Sequence, residues 1–194
     1  AKTLGSLIQI DSKHLDNLLS LKQLLLEKLA NSDTQSKPEV EKILPIVNQA
    51  IVLAQKYDAV CANPPYLGLK GMNADLKEYA KTEFPNSKSD LFAVFMERAF
   101  SLLTKNGYNA QVNMQSWMFL SSYEVQRDWL LDTKTFVTMA HLGARAFGQI
   151  SGEVVQTTAW VLQNSYIPVY QPMFFRLIDG SETEKRTALL NKEN

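Results

Sequence analysis

The chain has few residues that could cross-link it or bind a metal ion. Cys61 is the only cysteine in 194 residues, so no disulfide can form within the chain. The two histidines, His14 and His141, stand alone and lack the spacing of metal ligands. We therefore expect no metal site, and the single thiol fits a reducing compartment such as the cytoplasm.

Net charge and long apolar runs are also missing. Twenty basic side chains balance 20 acidic ones, so no overall field attracts nucleic acid. No apolar run approaches the roughly 20 residues that span a bilayer, and the first residues do not resemble a signal peptide. A composition of 45% hydrophobic and 21% charged residues is ordinary for a globular protein. We expect no membrane partner, and any grip on nucleic acid must come from a local patch or from additional chain.

Hydrophobic periodicity predicts an α/β fold. Residues 4–10 predict a short strand, and two helices follow, over 12–30 and 36–54, with Pro45 expected to kink or restart the second. Further along, alternation and helical spacing predict these elements: strand 59–62, helix 89–103, strand 108–114, helix 121–131, and strands 136–142 and 154–163. The first of these strands, which contains Cys61, is wholly apolar, so we expect it to be buried. Such sheets bind ligands at the carboxyl ends of their strands.

The tetrapeptide Asn63-Pro64-Pro65-Tyr66 directly follows that apolar strand. Proline fixes φ, lacks an N–H donor and holds the preceding residue in an extended conformation. The carbonyl groups of Asn63 and Pro64 are therefore fixed, and the Asn63 side chain adds a carbonyl acceptor. Two acceptors at a strand end suit a substrate that presents an NH2 group. A proline-rich structural turn is the alternative, but the preceding strand and the long loop that follows favour a functional turn.

An aromatic amine needs this kind of assistance to act as a nucleophile, because its lone pair is delocalised into the ring. Acceptors for both hydrogens favour an sp3 nitrogen and localise the lone pair for attack on a methyl sulfonium, without a strongly basic side chain. Tyr66 offers a flat face to a planar base, and such stacking is worth roughly 1–3 kcal/mol. This stacking would partly offset the cost of extruding a base from duplex DNA.

The tetrapeptide matches the catalytic motif of the amino-methyltransferases, and later segments resemble that class in the same order. These segments are Ser89 to Phe92, Lys105 to Gly107, Tyr108 to Trp117, Ser122 to Arg127, Leu142 to Phe147 and Glu153 to Thr158. The residues around Lys70 to Asn73, Ser87 to Phe92 and Ala140 to Phe147 are similar to the PglX-type methyltransferases of BREX phage-defence systems. The resemblance implies an S-adenosylmethionine-dependent DNA adenine-N6 methyltransferase.

The resemblance implies a role for each matched residue. Asn63 and the Pro64 carbonyl would hold the adenine amino group, and Tyr66 would stack on the flipped base. Phe147 would pack on the other side or the edge of that base, although a core phenylalanine is nearly as good an interpretation.

Three residues would contact or lie near the cofactor S-adenosylmethionine: Asn63, Asp90 and Phe92. A core position for Phe92 and a helix N-terminal charge for Asp90 are the alternatives.

The implied fold is the C-terminal half of a Rossmann-like methyltransferase sheet. The expected division is a methyltransferase strand at 1–11, a helical hairpin insertion at 12–56, the catalytic region at 57–165, and a polar tail or the start of another domain at 166–194. The family's glycine-rich cofactor turn has no counterpart here. We therefore expect a fragment that is inactive by itself, with double-stranded DNA as the partner of the full-length protein and other defence subunits as candidate partners.

Two other functions stay open at this point. Enzymes that methylate a protein glutamine amide, or guanine in RNA, also carry Asn-Pro-Pro-Tyr and need the same two acceptors. The chain could instead be a non-catalytic module whose helical hairpin, residues 12–54, binds a partner subunit.

Overall fold

The computed structural model describes residues 3–31, 36–144 and 156–192. The chain divides into two units, Ala1–Lys56 and Tyr57–Asn194. In the first unit, helix α1, Leu15–Asn31, packs against helix α2, Lys37–Ala54. None of the helices in the described ranges is both long and apolar enough to cross a membrane.

Helix α2 continues through Pro45 without interruption. Proline removes one hydrogen bond from the helix and crowds the preceding turn, so the sequence predicts a kink or a restart there. Val40 lies before the proline, Val47 and Ile51 lie after it, and all three are buried. Burial on both sides of Pro45 stabilises the single helix and offsets the lost hydrogen bond.

The strand predicted over residues 4–10 is not formed. Gly5 has a φ of 52° and begins a short 3-10 helix, Gly5–Leu7. Two turn bonds close this segment, from the amide of Leu7 to the carbonyl of Leu4 and from Ile8 to Gly5. A left-handed residue and tight turns are incompatible with an extended strand, so the apolar run buries Leu7 through a turn instead.

The second unit is built on a five-stranded mixed sheet in the order β1-β2-β4-β3-β5. The strands are β1 Tyr57–Ala62, β2 Leu103–Met114, β3 Thr135–Gly143, β4 Thr157–Gln163 and β5 Met173–Arg176. The helices are α3 Ala74–Glu83, α4 Leu91–Leu102, α5 Glu124–Thr133 and α6 Glu182–Asn191. Of the described strands, β4 alone runs antiparallel to its neighbours, since β1 pairs parallel to β2 and β3 pairs parallel to β5. The predicted α/β class is confirmed.

A strand and a helix occupy the region that the sequence predicts to be a polar tail or the start of another domain. β5 continues the sheet beside β3, and Ser181 and Glu184 form a reciprocal capping box at the start of α6. Lys185 of α6 donates to the carbonyls of Leu142 and Ala144 at 2.7 and 2.9 Å. Residues 173–191 are therefore tied to the end of β3.

One face of the sheet packs against α4 and α5. The buried cluster there contains Phe92, Ala93, Met96, Phe100, Leu103, Trp117, Tyr123, Leu130, Trp160 and Leu162. A column of carboxamides on β2 lies on the same face. Asn109 donates to the carbonyl of Met96, Gln111 donates to Asn109, Asn113 donates to Gln111, and Trp160 donates to Asn113. These hydrogen bonds satisfy side chains that burial would otherwise penalise.

β1 lies at one edge of the described sheet, and its residues Asp58, Ala59 and Cys61 are exposed. The prediction of a fully buried strand, and of a buried Cys61, is therefore wrong. Val60 packs against the cluster beneath α4 and α5, so Ala59 and Cys61, which alternate with it, point to the opposite face of the sheet.

Candidate functional site

The Asn-Pro-Pro-Tyr turn leaves the carboxyl end of β1, where the last strand residue, Ala62, pairs with Gln111 of β2. Pro64 is buried, whereas Asn63 and Pro65 are exposed. Within the described residues, the side chain of Asn63 forms no hydrogen bond. The strand end and the buried proline thus anchor a turn whose carboxamide stays available to a ligand.

Tyr66 turns back toward the core. Its ring lies edge-on to Phe92, with centroids 6.0 Å apart and planes at 86°, and Phe92 in turn contacts Tyr123 at 5.7 Å. The Tyr66 hydroxyl oxygen is buried and has no hydrogen-bond partner among the described residues. Burial accordingly raises the pKa of this phenol. Aromatic contacts position the ring, and no hydrogen bond of its hydroxyl to a described residue adds to them.

Asp90 joins the loop after Tyr66 to the start of α4. Its Oδ1 accepts hydrogen bonds from the amide of Leu67 at 3.0 Å and from the amide of Phe92 at 3.2 Å. The side chain is half-buried, and this desolvation raises the pKa of the carboxyl, while amide donors including those of Leu67 and Phe92 act in the opposite direction. Asp90 is thus the N-cap of α4 and an anchor for the loop.

A cavity of about 610 Å³ opens on the other face of the sheet and reaches Asn63. Most of its lining is small or apolar, as in Ala110, Ala159 and Val161, with Leu189 of α6 at its border. Tyr66 does not line it. Small apolar side chains on neighbouring strands are typical of a sheet face that packs against helices, so we assign this cavity to packing and not to a substrate.

A polar group that the sequence did not reveal lies at the same carboxyl edge. His141 Nε2 is hydrogen-bonded to Oε1 of Gln115, and Nε2 of Gln115 donates to Gln156. Burial lowers the pKa of His141, and the positive charges of Arg176 and Lys185 lower it further. Because Gln115 follows β2 and Gln156 precedes β4, a search for polar residues at strand ends would have found both.

The structure brings Tyr66, the last residue of the turn, into contact with Phe92 in the first turn of α4. It places Asp90 in hydrogen-bond contact with the loop and buries Phe92 completely beneath Tyr66. The catalytic and cofactor roles of these residues stay predictions. Phe147 lies outside the described residues, and so does its predicted contact with the base.

Two curated relatives align with the whole or nearly the whole chain. The adenine-specific methyltransferase BrxX of Escherichia coli O9:H4 (strain HS) is 62% identical over 194 residues, which are 100% of this chain and 16% of that protein. The adenine-specific methyltransferase PglX of Lacticaseibacillus casei (strain Zhang) is 37% identical over 97% of this chain and 16% of its own length. The chain therefore spans about a sixth of the relatives it matches.

Solved structures with the same fold include a candidate class I S-adenosylmethionine-dependent methyltransferase from Listeria monocytogenes, with a TM-score of 0.54 and 13% identity. The match covers 79% of this chain and 51% of that one. The Type IIL restriction-modification enzyme MmeI in complex with DNA matches with a TM-score of 0.51 and 18% identity, over 63% of this chain and 17% of that one. At these identities the likeness establishes the fold, which is that of class I methyltransferases.

The profile of one protein family, described as Eco57I restriction-modification methylase, matches residues 5–147 and so covers most of the chain, including the Asn-Pro-Pro-Tyr turn and the start of α4. The chain belongs to the Eco57I restriction-modification methylase family.

Proposed function

We propose that this chain supplies the catalytic turn of a DNA adenine-N6 methyltransferase that acts in phage defence or restriction-modification. The observation that carries the proposal is the state of Asn63. Asn63 is exposed at the end of a parallel strand, on a turn anchored by a buried proline. No described residue forms a hydrogen bond with its carboxamide. The relatives, both called adenine-specific methyltransferases, support adenine as the substrate.

In this mechanism the residues of the turn act on the amino group of an adenine flipped out of duplex DNA. Asn63 Oδ1 and the Pro64 carbonyl accept hydrogen bonds from its two N–H groups. These hydrogen bonds localise the nitrogen lone pair. Tyr66 supports the base by stacking, and Phe147 packs against its other side or edge. One amine proton leaves to solvent after transfer, so no residue of the turn has to act as a strong base.

When bound, S-adenosylmethionine would supply the electrophilic methyl group of a sulfonium, with the neutral thioether as its leaving group. Among the three residues predicted near the cofactor, Asn63 alone presents an exposed polar group. The Asp90 carboxylate already accepts two backbone amides, and Phe92 is completely buried. Of these three residues, we therefore assign direct cofactor contact first to Asn63.

Methylation by the intact protein tests the proposal. Transfer of labelled methyl groups from S-adenosylmethionine to duplex DNA, with N6-methyladenine identified in the hydrolysed DNA, is the expected result. Asn63→Ala should lower the rate by at least about 100-fold, the usual effect of removing a group that stabilises a transition state. Asn73→Ala is a matched control, because that exposed asparagine caps α3 through the amide of Leu76.

Protein and RNA substrates in the same assay separate the rival functions. Label in a protein or in RNA, with none in DNA, would replace adenine by a glutamine amide or guanine as the target. No transfer to any substrate, in the presence of intact fold and cofactor, would favour a non-catalytic module. An Asn63→Ala protein as active as the wild type would remove the turn from the mechanism.

A further inference from the structure

The loop after Tyr66 pairs with the residues just before α4. The amide of Leu91 donates to the carbonyl of Leu67 at 2.9 Å, and the amide of Leu69 donates to Ser89 at 3.3 Å. Gly68 and Asp90 form an antiparallel bridge between these two segments. The chain that leaves the Asn-Pro-Pro-Tyr turn is thereby held against the N-terminus of a buried helix.

One oxygen of Asp90 adds a side-chain link between the same two segments. Oδ1 accepts the amide of Leu67, one residue beyond Tyr66, and also the amide of Phe92 in the first turn of α4. Phe92 is fully buried and carries the ring on which Tyr66 rests. The backbone after Tyr66 and the ring beneath Tyr66 are thus fixed by the same carboxylate.

We propose that Asp90 is a positioning residue for methyl transfer, which holds Tyr66 in place by hydrogen-bonding Leu67 to the first turn of α4. This inference rests on the proposed function. Prolines constrain the turn on one side of Tyr66, and Asp90 constrains it on the other. Displacement of a reacting group by about 1 Å can lower the rate roughly 100-fold. Loss of this constraint should therefore lower the rate of methyl transfer much more than the free energy of unfolding.

The resemblance to methyltransferases predicts a different role for Asp90, near the cofactor, and kinetics separate the two. A residue that contacts the cofactor raises the KM for S-adenosylmethionine when it is removed. A residue that positions the turn lowers kcat and leaves that KM nearly unchanged, because the cofactor itself loses no contact.

Two substitutions in the intact protein isolate the link to Leu67. Asp90→Ser keeps a good N-cap for α4, so the protein should fold normally. The serine side chain is one bond shorter than aspartate and cannot reach the amide of Leu67. The kcat of this variant should fall about 10- to 100-fold, with the KM for S-adenosylmethionine within about threefold of wild type. Asp90→Asn keeps an oxygen that can accept both amides, and its kcat should stay within about threefold of wild type. Ser181→Ala removes the cap of α6 and serves as the control for loss of a cap alone.

Wild-type activity is measured first, so that failure of the proposed function, seen as no DNA methylation, is distinct from failure of this inference. With an active wild type, unchanged kcat in Asp90→Ser overturns the positioning role. A large rise in the KM for S-adenosylmethionine with kcat unchanged also overturns it. Equal losses in Asp90→Ser and Asp90→Asn overturn it too, because the loss would then follow the charge and not the hydrogen bond to Leu67.

Discussion

The buried hydroxyl of Tyr66 should lower the free energy of unfolding. Its oxygen is buried without a partner among the described residues, while the ring keeps its contact with Phe92. Burial of a hydroxyl without a hydrogen bond costs roughly 1–3 kcal/mol, and we take about 1 kcal/mol because the residue as a whole is half-buried. Tyr66→Phe keeps the ring and removes this penalty, so the variant should be more stable by about 1 kcal/mol.

Scanning calorimetry of the intact protein without ligands measures the effect. A gain of about 1 kcal/mol raises the melting temperature by about 2–4 °C where a cooperative unit of 150–250 residues melts, and by less for a larger unit. Tyr108→Phe is the control, because Tyr108 is 44% exposed. A melting temperature lowered by about 2 °C or more in Tyr66→Phe would refute the reasoning, since it would mean that the hydroxyl makes a stabilising hydrogen bond.

Three further substitutions test the packing around the site. Gly143→Ala should destabilise by about 1–3 kcal/mol in thermal unfolding, because Gly143 has a φ of 63° and an added Cβ would lie 3.0 Å from the Cα of Ile178. Lys134→Met should cost about 1–2 kcal/mol, measured by denaturant unfolding, because the amine lies 4.7 Å from the Phe100 ring and donates a hydrogen bond. Burial raises the pKa of Glu97 above its ordinary value of 4.5, so its contribution to stability is complete below that value and is lost as the pH rises through the folded pKa. Glu97→Gln should therefore melt higher than wild type at pH 7, and the difference should shrink near pH 4; a constant difference would contradict this.

The elements with strong periodicity could be predicted from the sequence. The helix predicted over 89–103 is α4, Leu91–Leu102, and the strand predicted over 108–114 lies within β2. The structure also has the turn at a strand end, as the order of apolar residues and prolines predicted. Periodicity works here because the sheet-facing side of α4 is buried along nearly its whole length.

Properties that depend on distant contacts could not be predicted. The exposure of Cys61 depends on which strands flank β1, and the double hydrogen bond of Asp90 depends on a loop 23 residues earlier in the chain. β5 is only four residues long and three of the four are exposed, so it has too little alternation to stand out. The helix α6 is polar except for the short apolar run from Ala188 to Leu190, so its capping box was the local feature that could have revealed it.

The carboxamide column on β2 restricts the register of that strand. Aliphatic side chains tolerate sliding, because one methyl group can replace another, but Asn109, Gln111 and Asn113 each need a particular partner. A slip of β2 along α4 by two residues would keep the same face buried but would break the hydrogen bonds from Asn109 and Gln111 to the carbonyls of Met96 and Phe95 on α4, at roughly 1–3 kcal/mol each. Directional hydrogen bonds therefore favour one alignment of β2 with α4. Because β1 pairs with β2, they also fix where β1 ends and its turn begins.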